Sequence, residues 1–119
     1  MVDEKQDKYY EQTGPPVLST NGSRQAYRWR ENYGWRVRVD REDGPAHSGV
    51  ADPVLSPDGQ HVAYGAREAE KYRVYVDGEP SPAYEWLGAG GPQFGSEGVE
   101  FLAQRGGALF RVRMTSGRP

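Results

Sequence analysis

The chain repeats itself, and a repeat of this length restricts the folds open to it more than any single residue does. Three units can be written from equivalent points: LSTNGSRQAYRWRENYGWRVRVDREDGPAHSGVADPV from Leu18, LSPDGQHVAYGAREAEKYRVYVDGEPSPAYEWLGAGGPQ from Leu55, and FGSEGVEFLAQRGGALFRVRMTSGRP from Phe94. Their starts lie 37 and 39 residues apart. Tyr27, Tyr64 and Phe101 recur at 37, as do Trp35 and Tyr72, and Phe110 follows Tyr72 at 38. Each unit is one supersecondary element, too small to bury its own faces, so the units must stack on one another or on something else.

Within a unit the apolar residues alternate. Each unit carries an aromatic-Arg-Val-x-Val/Met run: Trp35 to Val39, Tyr72 to Val76, and Phe110 to Met114. Period two is the signature of a strand, and no stretch free of Gly and Pro is long enough to build a helical protein. The fold class is all-β. Each unit reads as a short strand like Pro53-Val54-Leu55, a turn, a strand like Gln60 to Ala66, a polar hairpin, a strand like Tyr72 to Asp77, and a returning strand near Tyr84 to Leu87. The dipeptides Asn21-Gly22 and Asp58-Gly59 suit tight turns because both residue types tolerate positive φ. The organisation is a charged tail over residues 1–9, then one repeat domain over 10–119 with units 18–54, 55–93 and 94–119. Residues 10–17 read as the tail of an earlier unit, able to complete a blade begun by the third.

Composition narrows the class. Leu, Val and Phe number five, eleven and three, and Ile is absent, so about 16 % of the chain carries the aliphatic and Phe load. That is low for a globular domain. Fourteen aromatics supply the missing apolar area, and a net charge of −2 removes the self-repulsion that disorder usually needs. With no cysteine there is no disulfide framework, thiolate zinc site or cysteine nucleophile. No apolar run approaches a membrane span, and the charged opening MVDEKQDKYYEQ lacks the apolar core of a signal peptide, so a cytoplasmic location is expected. A pI near 5.7 gives no basic footprint for nucleic acid.

The phrase Leu55-Ser56-Pro57-Asp58-Gly59-Gln60-His61-Val62-Ala63-Tyr64, followed by Tyr72-Arg73-Val74-Tyr75-Val76-Asp77-Gly78, resembles the bacterial WD-like propeller repeats of the TolB-like type. The third unit keeps Phe94, Gly98, Val99, Phe101 and the Gln104-Arg105-Gly106-Gly107 hairpin but loses Ser-Pro-Asp, and the first has Ser-Thr-Asn-Gly instead. The resemblance implies three antiparallel blades, a half-propeller arc, and a scaffold that binds another protein rather than an enzyme. Three blades fall short of a ring, and a homodimer completing it is the expected resolution. A fragment of a longer protein and a β-trefoil, which also has three repeats, are the alternatives.

Several residues are candidates for binding. Arg28, Arg30, Arg36 and Arg38 share one parity on neighbouring strands, and alternation is expected to gather them on one sheet face for a protein partner or for carboxylates such as Asp40, Glu42, Asp43, Asp3, Glu4 or Asp7 within a dimer. Tyr84 and Trp86, with Tyr9 and Tyr10, fall in connecting or terminal segments where exposed aromatics would form a hot spot. A sugar-binding alternative would use Trp86 beside Glu85, and a third reading is an accessory domain of a larger propeller enzyme. The catalytic inventory is thin: His47 and His61 lack ligand spacing, Ser56, Asp58 and His61 read as a turn, and Asp40, Asp58 and Asp77 read as turn carboxylates. No cofactor or metal is expected.

Overall fold

The computed structural model describes residues 12–19, 22, 24–31, 34–95 and 98–114. The expected tail 1–9, with Asp3, Glu4, Asp7, Tyr9 and Tyr10, lies outside them. The described residues form fourteen strands and no helix, in three antiparallel sheets of which none closes on itself. The all-β expectation holds, and the closed barrel on which a trefoil is built is absent among the described residues.

The first sheet contains β1 (Gln12–Thr13), β2 (Val17–Leu18), β3 (Gln25–Glu31), β4 (Gly34–Val39) and β5 (Glu42–Asp43). Both β1 and β2 pair with β3, as halves of one strand interrupted at Gly14-Pro15-Pro16, where the prolines lack a ladder N–H. The second sheet repeats the plan with β6 (Gly49–Val50), β7 (Val54–Leu55), β8 (Val62–Glu68), β9 (Lys71–Val76) and β10 (Glu79–Pro80). The third has β11 (Trp86–Leu87), β12 (Gln93–Gly95), β13 (Gly98–Arg105) and β14 (Ala108–Met114). The first strands start at 12, 49 and 86, and the fourth at 34, 71 and 108, both at a strict period of 37 where the sequence units start 37 and 39 apart.

The structural unit therefore begins before Leu18. Residues 12–18 belong to the first sheet, against β3, and do not complete a blade begun by the third unit. Closing a short local loop costs less entropy than joining the two ends of the chain.

Turn chemistry recurs with the same period. Asp40 and Asp77 have φ of 55° and 51°, and Gly22 and Gly59 have φ of 76° and 75°. Asp77 accepts the Val62 N–H at 3.0 Å and returns its own N–H to the Val62 carbonyl at 2.9 Å. Asp40 does the same for Gln25. These aspartates are turn carboxylates, tolerated at positive φ because their short side chains bond locally.

Sheets are joined by strands that belong to two of them. Leaving β5, the chain stays bonded to β4, where Gly44 donates to the Val37 carbonyl and His47 bridges Trp35, and two residues later Gly49 enters β6 opposite Arg67. The segment from Glu79 through Tyr84 to Trp86 repeats the manoeuvre, with Tyr84 bridging Tyr72. Successive sheets are thereby folded face to face. Val37, Val50, Tyr64, Ala66 and Tyr75 fill the space between the first and second, with Trp35 and Val39 against them. Ala63, Val74, Val76, Tyr84, Val99, Phe101 and Ala103 fill that between the second and third. The middle sheet is covered on both faces, which is why Ala63, Tyr64, Gly65 and Ala66 are buried in succession.

The terminal faces differ from the interior ones at matching positions. The pairs Ala26 with Val39 and Ala63 with Val76 become Glu100 with Arg113, while Val37 and Val74 become Arg111. At the other end of the stack Arg38 stands where the second sheet has Tyr75 and the third Val112. Polar residues thus replace apolar ones where no further sheet follows among the described residues, as in the end units of repeat stacks.

Candidate functional site

The four candidate arginines do not form one face. Paired residues on β3 and β4 are Tyr27 with Arg38, Arg28 with Val37, Trp29 with Arg36, and Arg30 with Trp35, so a same-face pair always combines one odd and one even number. Arg28 and Arg30 share the face turned to the second sheet, whereas Arg36 and Arg38 lie on the opposite face. A two-residue hairpin loop inverts parity between strands, and the expectation of a common face fails for that reason. Arg28 Nε is 2.8 Å from Asp52 Oδ1, and its guanidinium lies 4.9 Å from the Trp35 ring centroid. Arg36 donates to the Gly44 carbonyl at 2.7 Å, and Arg38 Nε is 3.4 Å from Asp43 Oδ1.

The aromatic candidates divide. Tyr84 is buried in the core, edge-on to Phe101, with Arg105 over its ring; it is a packing residue and not the exposed contact expected of it. Trp86 is 60 % exposed and stacks on Tyr72 at 5.7 Å with 20° between the planes. Alternation failed to separate the two because the joining strand belongs to one sheet at Tyr84 and to the next at Trp86.

Neither histidine sits in a catalytic arrangement. Ser56 Oγ donates to Asp58 Oδ1 at 2.6 Å and accepts the His61 backbone N–H at 3.0 Å, which is turn geometry. The Ser56 bond and the Gln60 N–H hold the Asp58 carboxyl below its usual range. The His61 imidazole turns away to Asp77, at 2.7 Å, repeating after one period the contact of Arg24 with Asp40. His47 is buried, with Nδ1 2.9 Å from Glu68 Oε2 and Nε2 3.3 Å from the Tyr64 hydroxyl. Tyr75 also donates to Glu68 and stacks on Tyr64 with centroids 5.4 Å apart. Burial, and for Tyr75 the Glu68 carboxylate, push both phenols up to about 12. Every polar atom of this hub is committed to another, so its chemistry is that of a joint between sheets. Among the described residues no three His, Asp or Glu side chains gather to hold a metal ion.

The uncommitted groups collect elsewhere. Of the five large apolar residues that are exposed among the described residues, Trp86, Leu102, Leu109 and Phe110 lie on the third sheet. Register places Trp86, Leu102, Leu109 and Arg111 on its outer face, the face that the first two sheets bury. A groove of about 530 Å³ runs from Trp86 and Tyr72 to Trp35 and Arg67, and a second of about 420 Å³ lies across Gly88–Gly91 beside Leu102 and Arg111. Among the described residues, neither the Arg67 nor the Arg111 guanidinium has a hydrogen-bond or ion-pair partner, in contrast to the paired arginines of the first sheet.

Sequence reasoning set His47 aside for lack of ligand spacing, and did not single out Leu102, Leu109, Arg67 or Arg111 as site residues. Two signals in the sequence point to them. The segments Glu42-Asp43-Gly44-Pro45-Ala46-His47 and Glu79-Pro80-Ser81-Pro82-Ala83-Tyr84 align at 37, making His47 the counterpart of a core aromatic. Alignment of the third unit one residue earlier puts Arg111 where the other units have Val37 and Val74. No protein-family model, curated protein or solved structure matches the chain.

Proposed function

We propose that the chain is a non-enzymatic binding module whose repeated sheets serve as a scaffold, in the manner of the TolB-like propeller blades they resemble, and present the outer face of the third sheet to a protein partner. The supporting observation is the concentration of exposed Trp86, Leu102 and Leu109 around an unpaired Arg111, an apolar centre with an arginine, which is the composition of protein interfaces. The complementary partner surface is apolar and carries carboxylates. Closure into a ring by a second copy is the less favourable form of this reading, because it brings Arg36 and Arg38 of one copy toward Arg111 and Arg113 of the other.

A photoreactive side chain in place of Leu109, introduced in the native host, is expected to give discrete higher-mass conjugates that disappear with Arg111→Glu. The same photoreactive group at exposed Glu42 should give none. Conjugates from both positions, or from neither, refute the assignment. A carbohydrate reading draws on a different observation, the Trp86 and Tyr72 shelf beside Arg67 in the 530 Å³ groove. It requires that oligosaccharides quench Trp86 fluorescence and that Trp86→Ala abolish binding while Leu109 conjugates persist.

A further inference from the structure

The period of the chain leaves a gap inside the stack. Where the second sheet joins the third, Trp86 stacks on Tyr72 with ring centroids 5.7 Å apart. Counted back by 37 residues, the same two positions at the joint of the first and second sheets hold Gly49 and Trp35, so a ring is missing where the repeat places one. The backbone does not demand glycine there. Gly49 is not at positive φ, and a Cβ on it would meet nothing closer than Arg67 Nε, at 3.8 Å. What its missing side chain creates is room. The groove of about 530 Å³ opens at this point, with Trp35, Gly49, Tyr72 and Trp86 in its lining. All of its lining residues fall between Trp35 and Pro92, so the groove is an interior feature of the three-sheet stack.

The walls are apolar and the one charge is a cation. The Arg67 side chain lies beside Gly49, and its guanidinium has no hydrogen-bond or ion-pair partner among the described residues. Among those residues no Asp or Glu lines the groove. A guanidinium, which keeps its charge at any ordinary pH, set beside aromatic walls selects a carboxylate carried on a flat ring. A sugar fits poorly. Beyond the ring heteroatoms of its aromatics, Ser48 and Arg67 are the only polar side chains in the described lining, and Ser48 Oγ already accepts the Ala69 N–H at 3.3 Å. Most sugar hydroxyls would leave water without gaining a side-chain partner.

We infer that this groove binds a small aromatic carboxylate, with its ring in the room over Gly49 against Trp35 and Trp86 and its carboxylate paired to Arg67. The site shares only Trp86 with the face proposed for a protein partner, and loss of the Leu109 conjugates would leave it standing.

The probe is naphthoate, added to the full chain and followed by equilibrium dialysis, with naphthamide as the neutral control. Naphthoate is expected to bind saturably, one molecule per chain, with a Kd of about 1 mM or tighter, the affinity a ligand of this size can reach. Naphthamide should bind at least about tenfold more weakly, and Arg67→Gln should weaken naphthoate by about tenfold. Arg67→Lys keeps the charge and should recover most of that loss, which a merely structural role of Arg67 would not predict. Gly49→Trp repeats the Trp86 arrangement one period earlier and should abolish binding by filling the groove. Should that variant fail to fold, the two Arg67 variants alone decide. Absence of saturable binding, equal affinity for naphthamide, or undiminished binding in Arg67→Gln or in folded Gly49→Trp overturns the inference. A glucuronate-ended oligosaccharide that binds more tightly than naphthoate also overturns it, and gives the groove to the carbohydrate reading.

Discussion

His47 of the strand joining the first two sheets holds Glu68 of the second sheet, Nδ1 to Oε2, at 2.9 Å. His47 also closes the bridge to Trp35 on the first sheet, so one residue fastens two sheets. His47→Ala is expected to destabilise the fold by about 2–3 kcal/mol, the combined cost of a vacated buried site and two lost hydrogen bonds. Urea unfolding measures it, and a loss under about 0.5 kcal/mol would deny the joint its role.

The same carboxylate sets an acid limit. The Tyr75 hydroxyl, then His47 and Arg73, hold the Glu68 carboxyl below its usual range against a smaller opposing effect of burial. A depressed native pKa stabilises fully above the unfolded value and is lost as pH falls through the native one. The urea midpoint should therefore drop on acidification from about pH 5 to about pH 3, and Glu68→Gln should flatten that drop.

Tyr64 and Tyr75 ionise late. With both phenols pushed up to about 12, an ultraviolet titration should show two tyrosines ionising about two pH units above ordinary ones. Their stabilising effect is complete below the usual tyrosine pKa and is lost as pH rises through about 12. Tyr75→Phe should remove one late step and raise the Glu68 pKa, which carboxylate NMR shifts would report.

Asp77 combines positive φ with a side-chain bond to the Val62 N–H. Asp77→Ala should cost about 1–2 kcal/mol through strain and the lost acceptor together. Asp77→Gly relieves the strain and should cost less, and Asp77→Asn least. A Gly variant no better than Ala would show that backbone strain contributes little at this turn.

Arginine on the outer face of the third sheet is expected to limit growth of the stack. Replacing Arg111 and Arg113 by Val restores the pattern of Val74 and Val76 on a face that no sheet covers among the described residues. The double variant is expected to self-associate in sedimentation velocity at concentrations where the parent does not. An unchanged sedimentation coefficient would mean that these charges do not limit association.

The strands were legible in the sequence because alternation and turn chemistry are local. Gln60 to Ala66 and Tyr72 to Asp77 were read close to β8 and β9, and the period of 37 followed from Tyr27, Tyr64 and Phe101. Facing was less legible. Aligning Phe110 with Tyr72 at 38 places it on the wrong side of its strand, because pairing of Arg105 with Ala108 puts Leu109 at the Tyr72 position and Phe110 at that of Arg73. The grouping of Arg28 with Arg36 failed through the same dependence on register. The exposed face of the third sheet was hidden for a different reason. Exposure of Trp86 and burial of Tyr84 are set by which sheet owns each part of a joining strand, and that is fixed by long-range pairing.

Shared strands have a mechanical consequence. Residues 42–50 close the edge of the first sheet and open the second, and residues 79–87 do the same one unit later. Peeling either neighbour away strips hydrogen bonds from the other, so the middle sheet has no private boundary at which to come loose. Tension applied along the chain loads two sheets at each joint, and melting should propagate through the stack as one event. Three small sheets, none with a core of its own, thereby acquire the all-or-none character of a single larger one.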